Sequence, residues 1–174
     1  LCSYAATGRL ESIQRILRND NGSSEVQNKL SCGDYDNRTP VMLAVSEGQT
    51  HVAKFLIEKI GVDVAIKDRW GGTALEDAIM NRSSNLVQLL VSKGAKISKL
   101  GSRHFKPTHA LLSAILEKDL QFCTLLMEAG ISPDSSHSYT KTTALHLACA
   151  LPGRLEFVRL LLGYDAKVNV ADFT

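Results

Sequence analysis

Residues 34–48 read DYDNRTPVMLAVSEG, and the order of residue types in that stretch decides the fold. Asp34, Asp36 and Asn37 make a polar turn. Thr39 is placed as a helix N-cap, its hydroxyl accepting from one of the backbone N–H groups that a helix start leaves unpaired. Pro40 follows at the first helical position, where the N–H it lacks would have had no partner. Val41, Met42 and Leu43 open a short apolar helix, Ala44 leaves room for close packing, and Gly48 ends it.

Variants of that phrase recur down the chain. Aligned on the first apolar residue of each short helix, they begin at Leu1, Val41, Leu75, Leu111 and Leu145, at intervals of 40, 34, 36 and 34. A nearly constant period of this length marks an array of stacked units, none able to bury both sides of its helix pair alone. Ala5, Ala44, Ala78, Ala114 and Ala148 fall at one position in the successive helices, where a large side chain would hold neighbours apart.

Thr39-Pro40-Val41-Met42-Leu43-Ala44 and Thr143-Ala144-Leu145-His146-Leu147-Ala148 both follow a T-P-L-H-x-A pattern. Gly94-Ala95 and Val168-Asn169 look like pieces of a G-A-D-V-N closing segment. These residues resemble the ankyrin-repeat family nearly end to end. The resemblance implies an all-α solenoid of helix pairs with projecting β-turn fingers, in one domain. Its repeats would be 1–33 (partial, with a loop insertion), 34–67, 68–101, 102–136 and 137–171, with 172–174 opening another. Both ends look ragged, as in a portion of a longer protein.

Within this frame, residues 18–33 (RNDNGSSEVQNKLSCG) are expected to form a polar surface loop, and 51–60 (HVAKFLIEKI) an outer helix burying Val52, Phe55 and Leu56. Arg82 and Lys118 stand where glycine usually separates the two helices, at a local cost if those positions are left-handed. The finger of the fourth repeat, GSRHFKPT, departs most from the pattern.

Composition narrows the function. The 174 residues are 44% apolar, and 20 basic against 18 acidic side chains leave a net charge of +2, which argues against a nucleic-acid or membrane-surface protein. No run approaches the roughly 18 apolar residues that cross a bilayer. Cys2, Cys32, Cys123 and Cys149 form no CxxC pair, which argues for a reducing compartment and an intracellular, cytoplasmic or nuclear, location. His51, His104, His109, His137 and His146 lie in different elements, so no metal site is expected. No GxSxG, HExxH or phosphate-binding glycine loop is present, no cofactor is implied, and Glu76-Asp77 are adjacent carboxylates pointing about 100° apart on a helix. The expected chain is not an enzyme.

Binding candidates lie in the fingers. Tyr35, Trp70, Phe105, Tyr139 and Phe173 recur at intervals of 35, 35, 34 and 34, half of the ten aromatic residues in the chain. They read either as anchors for a protein partner or as rings that pack finger on finger. Asn37, Arg38, Arg69, His104 and Lys141 accompany them as partner-contact candidates, on the groove of turn tips and inner helices that the family resemblance implies.

DYDNRTP, AVSEG and KDRWGGTALEDA together are similar to the ankyrin segments of animal-type glutaminases and of plant outward-rectifying potassium channels, and related repeats follow some asparaginases. Three readings stay open: a protein-binding scaffold, a regulatory or self-associating module of a larger enzyme or channel, and an adaptor that recruits substrates to a ubiquitin ligase.

Overall fold

The computed structural model describes residues 1–19, 30–97, 102 and 105–171. Regular structure among these residues is helical, apart from one isolated antiparallel bridge between Ser136 and Thr143. The described residues fall into two compact units: the first runs to Lys96 and includes Ser102, and the second comprises Ile97 and the residues from Phe105 onward.

In the first unit, the inner helices α1 (Cys2–Ala6), α3 (Pro40–Ser46) and α5 (Ala74–Met80) pack in succession. Each is backed by an outer helix: α2 (Leu10–Asn19), α4 (Thr50–Lys54) and α6 (Ser84–Ser92). The second unit repeats the plan with α7 (Pro107–Leu116) and α9 (Ala144–Ala150) inside, and α8 (Leu120–Glu128) and α10 (Leu155–Gly163) outside. Ala5, Ala44, Ala78, Ala114 and Ala148 are all buried, at 0–2% exposure, as close helix packing requires.

The helix starts follow the sequence. The Thr39 hydroxyl accepts from Met42 N–H, and Pro40 occupies the first turn. Thr73 and Thr143 cap α5 and α9 in the same manner. The turns between paired helices are left-handed at Gly48 (φ 70°), and also at Arg82 (φ 54°) and Lys118 (φ 63°), where a side chain makes that conformation cost more than it does for glycine.

One device was not expected from the sequence. A side chain from each of three repeats reaches the carbonyls that end the preceding inner helix or its turn. Asn81 Nδ2 donates to Val45 O and Ser46 O, both at 3.0 Å. Buried Arg154 donates through Nε to Ile115 O at 2.8 Å and through Nη2 to Leu116 O at 3.0 Å. His51 Nε2 lies 3.0 Å from Gly8 O. Val45 O, Ile115 O and Gly8 O each accept a backbone N–H of their own turn as well, so these side chains add a second donor there and join one repeat to the next.

Two expectations are corrected. The stretch after Lys54 widens into a π-helical turn, Phe55–Ile60, closed by left-handed Gly61 at φ 71°. The wider turn brings Leu56 and Ile57 inward and leaves Phe55 only half-buried. The expected surface loop at 18–33 lies largely outside the described residues, but Leu30 near its far end is helical and 3% exposed, so that part belongs to the core.

Candidate functional site

Two fingers of the first unit are built alike from their leading aspartates. Asp34 Oδ1 accepts from Asp36 N and Arg38 N at 3.0 and 2.9 Å, and Asp68 Oδ1 accepts from Trp70 N and Gly72 N at 2.8 and 2.7 Å. Each turn closes with a backbone bond, Asp34 N to Arg38 O and Asp68 N to Gly72 O. Arg69 N then donates to Asp36 O at 2.9 Å and joins one finger to the next. This geometry makes the fourth residue of each turn left-handed, Asn37 at φ 59° and Gly71 at φ 81°. Asparagine tolerates that region better than most side chains, which accounts for Asn37 without any partner.

The tip side chains of this unit take different roles. Tyr35 is 88% exposed, with the Arg69 guanidinium carbon 5.5 Å from its ring centroid. Arg38 Nη2 donates to Asp77 Oδ2 at 3.4 Å, a partly exposed ion pair between a finger and the inner helix α5. Trp70 is half-buried.

In the second unit, Tyr139 is 85% exposed and Lys141 is exposed and left-handed, at φ 55°. Tyr139 lies against His137, with ring centroids 6.0 Å apart, and His137 stacks on His109 at 5.6 Å. Phe105 is a correction to the aromatic series: it is 3% exposed, a core residue with no surface to offer a partner. Its finger lacks the leading aspartate that shapes the other two turns. His104 and Phe173 lie outside the described residues.

Among the described residues, no three His, Cys, Asp or Glu side chains stand close enough to hold a metal ion. Burial, with Asp119 nearby, pushes the Cys123 thiol up to about 11, leaving it protonated and unreactive at neutral pH.

The group that the sequence undervalued is Glu76. It is 2% exposed, and neither carboxylate oxygen makes a hydrogen bond of ordinary length and angle. Burial raises its pKa above the ordinary glutamate value, a weak side-chain hydrogen bond from Ser102 and the charge of Lys67 oppose the rise, and Asp68 and Asp77 add to it. Asp77 is likewise raised by burial, against the attraction of Arg38. Glu76 lines a pocket of about 400 Å³ with Arg38, Asp68, Trp70, Asp77 and Asn81. The sequence carried one signal for it: Thr73 and Glu76 have the spacing of a capping box, in which the glutamate should return to the Thr73 backbone. Only half of that box forms. Glu76 N–H donates to Thr73 Oγ1 at 3.4 Å, while the carboxylate stays apart.

A family model of ankyrin repeats (3 copies) matches residues 1–101 and again 99–172. The chain belongs to the ankyrin-repeat family. Its all-α helix-pair architecture is that of the family's repeat solenoid, and ankyrin repeats in general mediate protein–protein interaction and are typically non-catalytic. Similar proteins include a potassium channel of Oryza sativa subsp. japonica, 39% identical over 90 residues, 52% of this chain and 11% of the channel. The liver isoform of mitochondrial glutaminase from Mus musculus is 46% identical over 57 residues, 33% of this chain and 10% of that protein. An L-asparaginase of Dirofilaria immitis is 28% identical over 174 residues, 99% of this chain and 27% of the asparaginase. The chain thus spans about a tenth of the channel and glutaminase, and about a quarter of the asparaginase. No helix among the described residues is long and apolar enough to cross a membrane.

Proposed function

We propose that this ankyrin-repeat chain is a non-catalytic binding module that takes hold of a protein partner inside the cell, through its finger tips and the adjoining inner helices. The supporting observation is the presentation of Tyr35 and Tyr139, 88% and 85% exposed on turns with hydrogen-bonded backbones. A ring held out in this way gives a partner a large amphipathic contact at low entropic cost, and tyrosine is enriched among interface hot spots. Arg38, Arg69, Trp70, Asn37 and Lys141 adjoin these rings in their respective fingers. Phe105 is no part of the surface.

The test is partner capture by the intact chain and by a Tyr35→Ala, Tyr139→Ala double variant, with melting curves for both. Capture should fall at least about tenfold while stability changes by less than about 0.5 kcal/mol, as expected for exposed sites. Equal capture by the two chains would remove the reading.

A second reading has its own support. The relatives named above are a channel, a glutaminase and an asparaginase, so the repeats could serve to regulate or assemble a larger protein by docking on a neighbouring domain or a second copy. Sizing chromatography over a wide concentration range tests the self-association form of this reading. A dimer that forms with rising concentration supports it, and an unchanging monomer removes that form.

A further inference from the structure

We infer that the surface of the second unit built by Lys106, His109, His137, Tyr139 and Lys141 takes an acidic segment of the protein partner, one that carries an aromatic side chain beside its carboxylates. The inference rests on the binding-module reading and adds the chemistry of one contact.

Three observations converge on it. The first is that these five residues are joined contact by contact. His109 N–H donates to Lys106 O at 3.0 Å where α7 begins. The His109 ring stacks on His137, with centroids 5.6 Å and planes 22° apart, and His137 in turn lies 6.0 Å from Tyr139. Thr140 Oγ1 stands 3.3 Å from His137 Nδ1 and braces the middle ring. Lys141 N–H donates to His137 O, and His137 N–H to Thr142 O, both at 2.9 Å, which closes the finger. An inner helix of one repeat and the finger of the next therefore hold three rings in fixed relation, with a lysine at each end of the path.

The second is what this arrangement presents. Lys106, His109, Tyr139 and Lys141 are exposed, and His137, in contact with both other rings, is half-buried. Tyr139 is 85% exposed, so a partner's aromatic side chain can extend the row by packing offset or edge-on against it. Rings already held by one another lose little freedom when a partner arrives.

The third is how charge is distributed along the chain. Between Asp77 and Glu117 the sequence has no aspartate or glutamate, and it carries Arg82, Lys93, Lys96, Lys99, Arg103 and Lys106. The finger at 137–143, HSYTKTT, has no acid either. Glu117 caps the far end of α7, about 16 Å from Lys106 along the helix. Asp134, which precedes the finger, accepts from Lys167 N–H at 2.8 Å and lies 3.8 Å from Lys167 Nζ. The first unit differs: Asp34 and Asp68 lead its fingers, and Arg38 pairs with Asp77. A chain of net charge +2 thus places basic side chains and rings together in one finger region, and a partner segment of the opposite charge complements it. Two lysines suit a few carboxylates better than the long phosphate track of a nucleic acid.

The experiment selects binders from a random heptapeptide library on the intact chain and measures the best peptides on that chain and on a Lys106→Gln, Lys141→Gln double variant. Circular dichroism melts confirm that the variant is folded. Selected peptides should share an aspartate or glutamate close to an aromatic residue. Replacing the acid by its amide should weaken binding at least about tenfold, the double variant should weaken it similarly, and the two losses should not add. Replacing the aromatic residue by leucine should weaken binding at least about threefold on the intact chain and little on Tyr139→Ala. Selection without a shared acid beside an aromatic residue, or equal affinity for the intact chain and the lysine variant, would overturn the inference. A fluorescent oligothymidine bound as tightly as the best peptide would assign the surface to nucleic acid and overturn it too. If partner capture falls with Tyr35→Ala, Tyr139→Ala but not with the lysine variant, the binding-module reading stands and only this chemistry is wrong. Insensitivity to both sets of substitutions would overturn both.

Discussion

Helices α5 and α9 begin with the same device and finish it differently. In α9, Thr143 Oγ1 accepts from His146 N–H, and His146 Nδ1 accepts from Thr143 N–H at 3.2 Å, so the box is closed. In α5, Thr73 makes its half and Glu76 withholds the other, although glutamate is the more usual residue for it. Backbone φ is −128° at Thr73 and −94° at Thr143, which turns the N-cap N–H differently relative to the helix that follows. One helix start spends its third residue on its own stability. The other leaves a buried carboxylate beside a pocket.

The largest expected effects come where the two regions agree. Ala78 and Ala148 are buried at matching positions, so Ala78→Leu and Ala148→Leu should each cost about 1–3 kcal/mol by overpacking, measured by urea melts. A cost at one position alone would show that the two inner helices are packed on different plans.

The helix caps should then separate the regions. Thr143→Ala removes the hydroxyl from a closed box and should cost about 1.5–2 kcal/mol, while Thr73→Ala removes it from a half-box and should cost about 1 kcal/mol. Equal losses would mean that the closed box of α9 adds nothing in solution.

Substitution at the third helical residue should reverse sign between them. His146→Ala breaks an existing bond and should destabilise by about 1 kcal/mol. Glu76→Gln removes a buried charge without a hydrogen bond of ordinary length and angle and should stabilise by up to about 1 kcal/mol at pH 7. The latter effect depends on pH. The unfolded chain releases the Glu76 proton in the ordinary glutamate range, and the folded chain only at a higher pH. Between those values the folded state binds more protons, so Glu76 favours folding at low pH and that contribution is lost as pH rises through its folded pKa. Intact chain and Glu76→Gln should therefore be closest in stability at acid pH and diverge as pH climbs. Asp77, also raised, adds a slope of the same sign to both chains. A difference that is constant with pH would place Glu76 among ordinary carboxylates.

Much of this molecule is legible in its sequence, for physical reasons that differ from residue to residue. Thr39, Pro40 and the recurring alanines act locally, through capping, a fixed φ and small volume, so their type alone announces their role. Spacing is a weaker guide. Phe105 keeps the interval of Tyr35 and Trp70, but interval does not set direction, and its ring is buried. Phe55 fails likewise, because a helical pattern counted at 3.6 residues per turn cannot foresee the wider turn that follows Lys54. Glu76 has the right type at the right spacing for a capping box. Whether the box closes depends on the N-cap backbone, which no motif specifies.

The most direct measurement is a titration of the Glu76 side-chain carboxyl carbon by NMR in the intact chain. A buried carboxylate that stays out of its capping box should titrate above the ordinary glutamate range. A carboxylate that closes its box on Thr73 accepts a backbone N–H and titrates at or below the ordinary range. That result would contradict the open helix start.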